Sequence, residues 1–528
     1  MSGATIVSLL QERASERPDA KFLTCGDTTY SFRELDVVTD RLAAGLQRLG
    51  VSAGDRVAVL STNRMEVLEL YFALPKIGAI QVPLNAYLKG EFLRHQLADS
   101  QAEIAVVDQS GWKAIQAVAD GPHHLRAVIC LDEFDDETTP LPRTSYRQLL
   151  AADAALTPAT VAAPDLMSIV YTSGTTGFAK GCMLSHGYYM RVGRVMVEAL
   201  GMSDDDVLFT ALPLFHGAAR MMVVAAGLVR GIPVVVEPAF SASKFLQRAA
   251  EVGATIAFGV GAMGIALLAQ PSSEADRAHQ LRTFVLIPFP PERQQEFTAR
   301  FGADAWAELY GQTECVPITW TPPNGPRQRA SCGKAGTDLE VALLDDDDRP
   351  VPIGEIGEIC LRPKAPLAMF SGYWNNPLAT VQSTTTLWYH TGDYGRCDEQ
   401  GFIYFVDRKK DAVRRRGENV STLEVEAAIM THPAVVDVAV HAVPAETEDD
   451  IKACVVTDGS RPSPEELFDF FREKLPYYAI PRYVEFVDEL PRNAVGRVMK
   501  FQLREHSLGP DVWDFEKMRL TVDKAARR

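Results

Sequence analysis

A run of small polar residues, YTSGTTGFAKG at residues 171–181, constrains the fold of this chain more than any other segment. The apolar run at residues 166–170 predicts a buried strand before it, and Ser185 can cap a helix that starts near His186. A strand that breaks into Gly, Ser and Thr before a helix exposes backbone N–H and hydroxyl donors at one mouth. Such a mouth suits a polyphosphate, and Lys180 can neutralise part of its charge.

Two observations weigh against a phosphate-binding interpretation of this run. A cluster of Gly, Ser and Thr is by itself more typical of a polar surface loop. The spacing also differs from the phosphate loop G-x-x-x-x-G-K-[ST], because Gly177 and Lys180 are not adjacent.

Composition narrows the class of protein. The chain has 528 residues, 47% of them apolar, which is enough for more than one core. A net charge of -16 argues against nucleic acid as a main partner. The eight cysteines are scattered without a C-x-x-C pair. The N-terminus lacks a signal-peptide pattern, and the longest apolar region is interrupted by Pro75, Lys76 and Pro83. These features predict a soluble cytoplasmic protein with no membrane span.

Strand and helix patterns alternate through the first part of the chain. Apolar residues fall on one helical face over residues 35–49, followed by a strand at 56–60, a helix at 65–73 and a strand at 78–83. From 333 to 407 the texture becomes rich in strands and turns. A charged stretch at 407–411 closes a strand, and a compact α/β set follows it. We therefore predict an α/β fold: a large N-terminal layered α/β domain with a β-rich subdomain, and a small mobile α/β C-terminal domain.

Two further motifs carry candidate site chemistry. In YGQTE at residues 310–314, Tyr310 can stack on adenine, Thr313 can reach a phosphate, and Glu314 offers a hard oxygen ligand for Mg²⁺. In WYHTGD at 388–393, Asp393 can accept hydrogen bonds from ribose hydroxyls, and Arg408 can add donors. Alone, the first motif is compatible with an ordinary turn and the second with a surface Asp–Arg pair.

Taken together, in this order and spacing, these motifs resemble those of the adenylate-forming superfamily of acyl-CoA synthetases, peptide-synthetase adenylation domains and luciferases. The resemblance covers essentially the whole chain. FVDR at 405–408, RGENVS at 416–421 and LPRN at 490–493 look most like the carnitine/crotonobetaine–CoA ligase-like branch.

The resemblance implies a role for each matching residue. The nucleotide site would consist of Thr172, Ser173, Gly174, Thr175, Thr176, Gly177, Lys180, Tyr310, Gly311, Gln312, Thr313, Asp393 and Arg408, with Glu314 as the metal ligand. Thr172, Lys180, His216, Glu314 and Arg497 would be the catalytic set.

The acid pocket is the weaker part of the resemblance. His216 would form its wall, with Gly259, Gly261 and Met263 as its floor, although a histidine beside aromatics is more often a core residue. Arg220 would lie near the same wall, where it can hold an anionic tail of the substrate or simply be solvated.

The implied reaction has two halves. A carboxylate attacks the α-phosphorus of ATP to give an acyl-adenylate and pyrophosphate, and a nucleophile, usually CoA, then displaces AMP. The implied domains are residues 1–407, a hinge at 408–411 with Lys410 as its pivot, and residues 412–528. ATP and Mg²⁺ are the implied cofactors, CoA is a co-substrate, a small-molecule acid is the partner, and a homodimer is left open.

Three positions depart from the family pattern. The usual Gly-Lys pair near the C-terminus is Gly496-Arg497 here, with Lys500 three residues on, and arginine does not replace a point-charge lysine conservatively. Bulky IPFP stands at 287–290 where a Gly-Gly-Ala-Pro run is expected, so we expect a reshaped adenine edge and acyl pocket. Ala179 replaces a proline, which only loosens a turn.

These departures leave three hypotheses open. The first is a ligase that joins a small or medium carboxylic acid to CoA. The second keeps adenylation but changes the acid or acceptor, as in the activation of nitrite to diazotise an aryl amine. The third is a nucleotide-binding relative without catalysis, against which the complete phosphate, Mg²⁺ and ribose set argues. The sequence does not identify the acid.

Overall fold

The structure is a computed structural model, and it describes residues 3–119, 121, 123–133, 141–151, 155–172, 179–321, 325–409, 413–415, 418–420, 422–445, 449–475, 479–492, 498–505 and 508–521. The chain divides into two compact units. The first comprises Met1–Val341 and Leu361–Trp388, and the second comprises Ala342–Cys360 and Tyr389–Arg528.

The α-helices have the following bounds: α1 Ile6–Glu16, α2 Phe32–Arg48, α3 Met65–Lys76, α4 Gly90–Ser100, α5 Gln109–Gln116, α6 Tyr146–Leu150, α7 His186–Ala199, α8 Ala225–Arg230, α9 Phe245–Glu251, α10 Gly261–Leu268, α11 Pro291–Phe301, α12 Pro377–Gln382, α13 Thr422–Ile429, α14 Pro464–Lys474 and α15 Lys500–Glu505. A π-helical turn spans Ala218–Val224, and 3₁₀ turns span Glu274–Asp276 and Thr385–Leu387.

The strands have the following bounds: β1 Lys21–Cys25, β2 Thr28–Ser31, β3 Arg56–Leu60, β4 Ile80–Leu84, β5 Ile104–Val107, β6 Ala127–Cys130, β7 Arg143–Ser145, β8 Leu166–Thr172, β9 Lys180–Ser185, β10 Leu208–Thr210, β11 Val234–Val236, β12 Ile256–Gly259, β13 Thr283–Leu286, β14 Asp304–Trp306, β15 Leu309–Gln312, β16 Cys315–Trp320, β17 Lys334–Ala335, β18 Leu339–Leu344, β19 Gly357–Pro363, β20 Tyr389–Cys397, β21 Ile403–Arg408, β22 Val413–Arg415, β23 Glu418–Val420, β24 Val435–Val443, β25 Asp450–Thr457, β26 Tyr483–Phe486 and β27 Trp513–Asp514.

Two seven-stranded sheets form the large layers of the first unit. One has the order β7-β6-β5-β3-β4-β8-β9 and the other β14-β13-β12-β10-β11-β1-β2. Their strands are parallel apart from the edge pairs β8–β9 and β1–β2. Parallel strands need helical crossovers that cover both faces of a sheet, and the strand–helix alternation of the sequence predicted this architecture. The α/β prediction is confirmed.

Strand β3 shows how completely the first sheet is covered. Val57 and Val59 point into one apolar cluster, and Ala58 and Leu60 into another on the opposite face. Successive side chains alternate across a strand, so a run that is apolar at every position is buried on both faces. Such a sheet forms a rigid base for the loops at its strand ends.

Smaller antiparallel sheets make up the rest of the described fold. They have the orders β15-β16-β17, β18-β19-β20-β21, β22-β23 and β24-β25-β26-β27, the last containing one parallel pair, β25–β26. In the last sheet Val438, Val440 and Val455 pack against Phe468 and Phe471 of α14. The strand-rich texture predicted after residue 333 therefore matches the structure. Among the described helices, none combines the length and apolar character that crossing a bilayer requires.

Candidate functional site

The predicted phosphate loop connects two antiparallel strands, β8 and β9. Thr172 at the end of β8 lies opposite Lys180 at the start of β9. Ser173, Gly174, Thr175, Thr176 and Gly177, the predicted phosphate donors between them, lie outside the described residues. The threonine and the lysine are thus paired across the two strands that hold this loop.

The sequence analysis placed a helix from His186 after the loop, which the structure confirms, but it missed the strand between the loop and that helix. Strand β9 lies between them, and its six residues span about 20 Å. Ser185 does cap α7 as predicted, since its hydroxyl accepts a hydrogen bond from the Tyr188 N–H at 3.2 Å. However, the N-terminus of α7 lies a whole strand away from Lys180, too far for the helix dipole to assist an anion beside that lysine.

The ammonium group of Lys180 lies 4.5 Å from the ring centroid of Tyr373. Tyr373 belongs to a short segment beside β9, in which the Trp374 N–H donates to the Gly181 carbonyl at 2.8 Å. Within the described residues, no carboxylate lies within ion-pair distance of Lys180. The lysine is therefore held by an aromatic face, and its charge is not neutralised by the described part of the protein.

Glu314 lies in the turn between β15 and β16 and is 8% exposed. The Tyr373 hydroxyl donates to its Oε1 at 2.8 Å, and the Phe370 N–H donates to its backbone carbonyl, also at 2.8 Å. One tyrosine therefore touches both the predicted metal ligand and the predicted phosphate lysine. The sequence analysis missed Tyr373, which lies 59 residues from Glu314 and outside every motif used for the site.

Cys182 lies beneath this contact. Burial raises the pKa of its thiol well above the ordinary value, and the charge of Glu314 raises it further. The thiol therefore stays protonated at neutral pH, and it lies 4.0 Å from the Thr172 hydroxyl. This cysteine is a neutral packing residue and not a nucleophile.

Helix α7 supports the hairpin that presents Glu314. The Tyr188 hydroxyl donates to the Thr313 carbonyl at 3.2 Å and accepts from the Val316 N–H at 2.7 Å. Glycine is required at 311, because a Cβ there would meet Val316 at 2.8 Å. Tyr310 is buried in β15, and Gln312 is half-buried opposite Cys315. Their roles toward adenine and phosphate stay predictions.

His216 is exposed to solvent, yet desolvation by the surrounding protein lowers the pKa of its imidazole. Its exposure contradicts the interpretation of a core histidine, and its role as a wall of the acid pocket stays a prediction. Arg220, four residues on, is 3% exposed, so the alternative of a solvated arginine is wrong.

The glycines of the predicted pocket floor are in close contact with neighbouring elements. A Cβ on Gly261 would collide with the Pro288 carbonyl oxygen, and one on Gly264 would lie 2.9 Å from the Phe289 ring. Met263 fills the space beside Gly259. Phe289 is buried and packs edge-on against Phe297 of α11. The bulk of residues 287–290 is thus partly accommodated by small residues of α10, and the role of this floor in acid binding stays a prediction.

In the second unit, the predicted ribose pair is brought together. Asp393 in β20 lies opposite Arg408 in β21, and the Arg408 Nε is 3.5 Å from the Asp393 Oδ1. Asp393 is buried, and its N–H donates to the Thr391 hydroxyl at 3.1 Å. Lys410 and Arg497, the predicted hinge and the predicted replacement for the catalytic lysine, lie outside the described residues.

Lys500, the other candidate for the lysine role, is held in an ion pair. Its ammonium group lies 2.8 Å from the Glu426 Oε1 and donates to the Thr422 hydroxyl at 2.6 Å. Its side chain is 13% exposed. Both partners belong to α13, so Lys500 joins two helices of the second unit.

Comparison with known proteins identifies the family of this chain. The AMP-binding enzyme family model matches residues 10–374, and the model of the AMP-binding enzyme C-terminal domain matches residues 424–497. The crotonobetaine/carnitine–CoA ligase of Escherichia coli O139:H28 (strain E24377A / ETEC) is 34% identical over 484 residues, which is 90% of this chain and 93% of that protein.

Solved structures match over nearly the whole chain. The anthranilate CoA ligase AuaEII in complex with anthranoyl-AMP has a TM-score of 0.85 at 26% identity, with 96% of this chain and 98% of that chain covered. ATP-bound MatB from Rhodopseudomonas palustris has a TM-score of 0.84 at 30% identity, with coverages of 95% and 99%. The predicted resemblance is confirmed: this chain belongs to the AMP-binding enzyme family and is an AMP-forming ligase of the acyl-CoA synthetase type.

Proposed function

We propose that this enzyme uses ATP and Mg²⁺ to convert a small or medium carboxylic acid into its acyl-adenylate. It then transfers the acyl group to CoA. The observation that carries the proposal is the contact of Tyr373 with both Lys180 and Glu314. It places a cation at the end of the phosphate hairpin beside a carboxylate of the kind that Mg²⁺ prefers.

The charges at this point fit a metal-bound polyphosphate. Within the described chain, Lys180 has no carboxylate partner and Glu314 has no lysine, arginine or histidine partner. A buried carboxylate without a counter-ion is unfavourable unless a ligand supplies one. When bound there, Mg²⁺ would balance the carboxylate and the phosphate oxygens. Glu314 would hold the ion, and Lys180 would bind the phosphates.

The remaining residues take roles around the reacting atoms. Asp393 would accept hydrogen bonds from the ribose hydroxyls, assisted by Arg408, while Thr172 to Lys180 would donate to the phosphates. His216 would wall the pocket in which the acid's carboxylate oxygen attacks the α-phosphorus, with pyrophosphate as leaving group. Arg497 would balance charge in that step, as a guanidinium can grip an oxyanion with two N–H bonds. In the second half, the CoA sulfur attacks the acyl carbon and AMP leaves.

The ribose role of Asp393 is tested by binding. Asp393→Ala should weaken ATP binding in calorimetry by roughly 1.5–3 kcal/mol, the scale of a hydrogen bond to a charged group. Asp398→Ala is the control in the same β20–β21 hairpin, because its carboxylate accepts hydrogen bonds from within that hairpin, from the Phe402 N–H at 2.9 Å and from the Tyr404 hydroxyl at 2.8 Å. Wild-type affinity in the Asp393 variant would contradict the ribose role.

An activity assay separates the carboxylic acid–CoA ligase from the diazotising enzyme and the non-catalytic relative. Pyrophosphate release with a panel of carboxylic acids, followed by thioester formation when CoA is added, supports the proposed ligase. Release with nitrite alone would contradict it and favour the diazotising alternative. Binding of ATP without release in any mixture would favour a non-catalytic relative.

A further inference from the structure

Arg220 is an unusual cation in the described structure. Arg191, Arg220 and Arg415 are the arginines buried in the described residues. Arg191 lies 2.8 Å from the Asp338 carboxylate, and Arg415 lies 3.2 Å from that of Asp450. Arg220 is 3% exposed and has no carboxylate within ion-pair distance among the described residues. It is thus a buried positive charge that the described protein does not neutralise.

The neighbours of Arg220 are neutral. Its Nη2 donates to the Gln81 Oε1, and its Cζ lies 4.9 Å from the ring centroid of Tyr71. Its Nη1 is buried and makes no hydrogen bond to the described protein. Gln81 is itself fixed, because its Nε2 donates to the Leu70 carbonyl at 2.8 Å. The Nη1 donors are therefore left without an acceptor in the described protein, and the neutral amide of Gln81 does not balance the charge of the guanidinium.

Arg220 lies in an irregular helical segment. It lies in the π-helical turn Ala218–Val224, four residues after His216. Turns of this kind occur frequently at functional sites, since the widened helix redirects one side chain. A buried charge without a partner is destabilising, so a fold that retains one does so against its own stability. The free donors need an acceptor that is not part of the described protein.

We propose that Arg220 determines substrate class by binding a second oxyanion of the acid, so that the preferred substrate is a dicarboxylic acid and not a monocarboxylic one. This inference rests on the proposed function, in which His216 walls the acid pocket. A carboxylate matches the planar fork of a guanidinium with two parallel N–H bonds. An acid that carries a fixed cation would be repelled at the same point.

Matched acid pairs test the proposal. Butyrate and succinate, and pentanoate and glutarate, are compared by pyrophosphate release at pH 8, with monomethyl succinate as a diacid whose second charge is masked. For the wild type, kcat/KM for each diacid should exceed that for its monoacid by at least about tenfold, the effect of one good charged contact. The masked diacid should behave as a monoacid.

Two variants remove the contact in different ways. Arg220→Met removes the charge at similar volume, and Gln81→Glu keeps the arginine but supplies an internal carboxylate that competes with the substrate. Both should bring the diacid-to-monoacid ratio close to one, while KM for ATP stays the same. If the wild-type preference is absent, or survives in both variants, the inference is overturned while the proposed ligase stands.

Thermal unfolding separates a substrate-binding arginine from a structural one. Arg191→Met is the matched control, because it strands the Asp338 carboxylate and should lower the midpoint. Arg220→Met should leave the midpoint unchanged or raise it, since it removes an unpaired buried charge. An equal fall in both variants would show that Arg220 is structural and overturn the inference. Release of pyrophosphate with nitrite but with no carboxylic acid would overturn both this inference and the proposed function.

Discussion

At the scale of single residues, Tyr373 shows what a motif cannot reveal. The phosphate lysine and the metal carboxylate were predicted from two separate runs, each from its residue types alone. The structure joins them through a tyrosine from a third segment, whose hydroxyl donates to Glu314 and whose ring faces Lys180. Contacts between residues so far apart in sequence depend on tertiary packing, which local patterns do not encode.

Tyr373→Phe isolates the hydroxyl while it keeps the ring over Lys180. Loss of a hydrogen bond to a charged group costs about 1.5–3 kcal/mol, so we expect the Mg²⁺ concentration at half-maximal pyrophosphate release to rise roughly tenfold or more. Tyr30→Phe is the control, because the Tyr30 hydroxyl donates to the buried Glu69 at the same 2.8 Å, away from the site motifs. An unchanged Mg²⁺ requirement in Tyr373→Phe, or an equal change in Tyr30→Phe, would count against the role of this contact.

At the scale of elements, periodicity and capping predicted much of the chain correctly. The strand at residues 56–60 is β3, and the helix expected over residues 35–49 is α2, which ends at Arg48, two residues before Gly50 with its positive φ. The Ser463 hydroxyl caps α14 by accepting a hydrogen bond from the Glu466 N–H at 3.2 Å. Strand β9 was missed, because the six residues of KGCMLS contain too few β-branched side chains to indicate a strand. Its pairing with β8 stabilises it.

Helix α15 bears on the replaced catalytic lysine. Lys500 is tied to Glu426 and Thr422, and burial raises the pKa of the Glu426 carboxyl in spite of the lysine. Lys500→Ala should therefore lower the free energy of unfolding by roughly 1–3 kcal/mol, the cost of leaving a buried acceptor unsatisfied, and leave the chemistry of the surviving folded enzyme unchanged. Lys500 thus fits a structural role better than a catalytic one.

Arg497→Ala should instead change the chemistry. Loss of one electrostatic contact in the transition state should slow adenylation by about 10²-fold or more, while transfer from a preformed adenylate is nearly unchanged. Pyrophosphate release and single-turnover thioester formation, measured for both variants beside thermal unfolding, give the two readouts. If Lys500→Ala slows adenylation and Arg497→Ala does not, the assignment of the two residues is reversed.

At the scale of the whole molecule, the order of the motifs predicted the fold family, because these motifs are spread over several distant segments of the chain. Two compact units and two family models agree with a large and a small domain. The movement between them was predicted from the resemblance alone. Lys410 lies outside the described residues, so the hinge stays a prediction.

Proline at the predicted hinge tests that movement on the complete enzyme. Proline fixes φ near -65° and removes the N–H, so Lys410→Pro should restrict the rotation that the second half-reaction needs. We expect adenylate formation to continue and thioester formation with CoA to fall by at least about tenfold. Lys410→Ala is the control, because it removes the same charge and leaves φ free; it should retain both half-reactions. A hinge role requires that thioester formation falls while adenylate formation continues. Equal loss of both half-reactions in the proline variant, with a lowered unfolding midpoint, would indicate misfolding and not a blocked rotation.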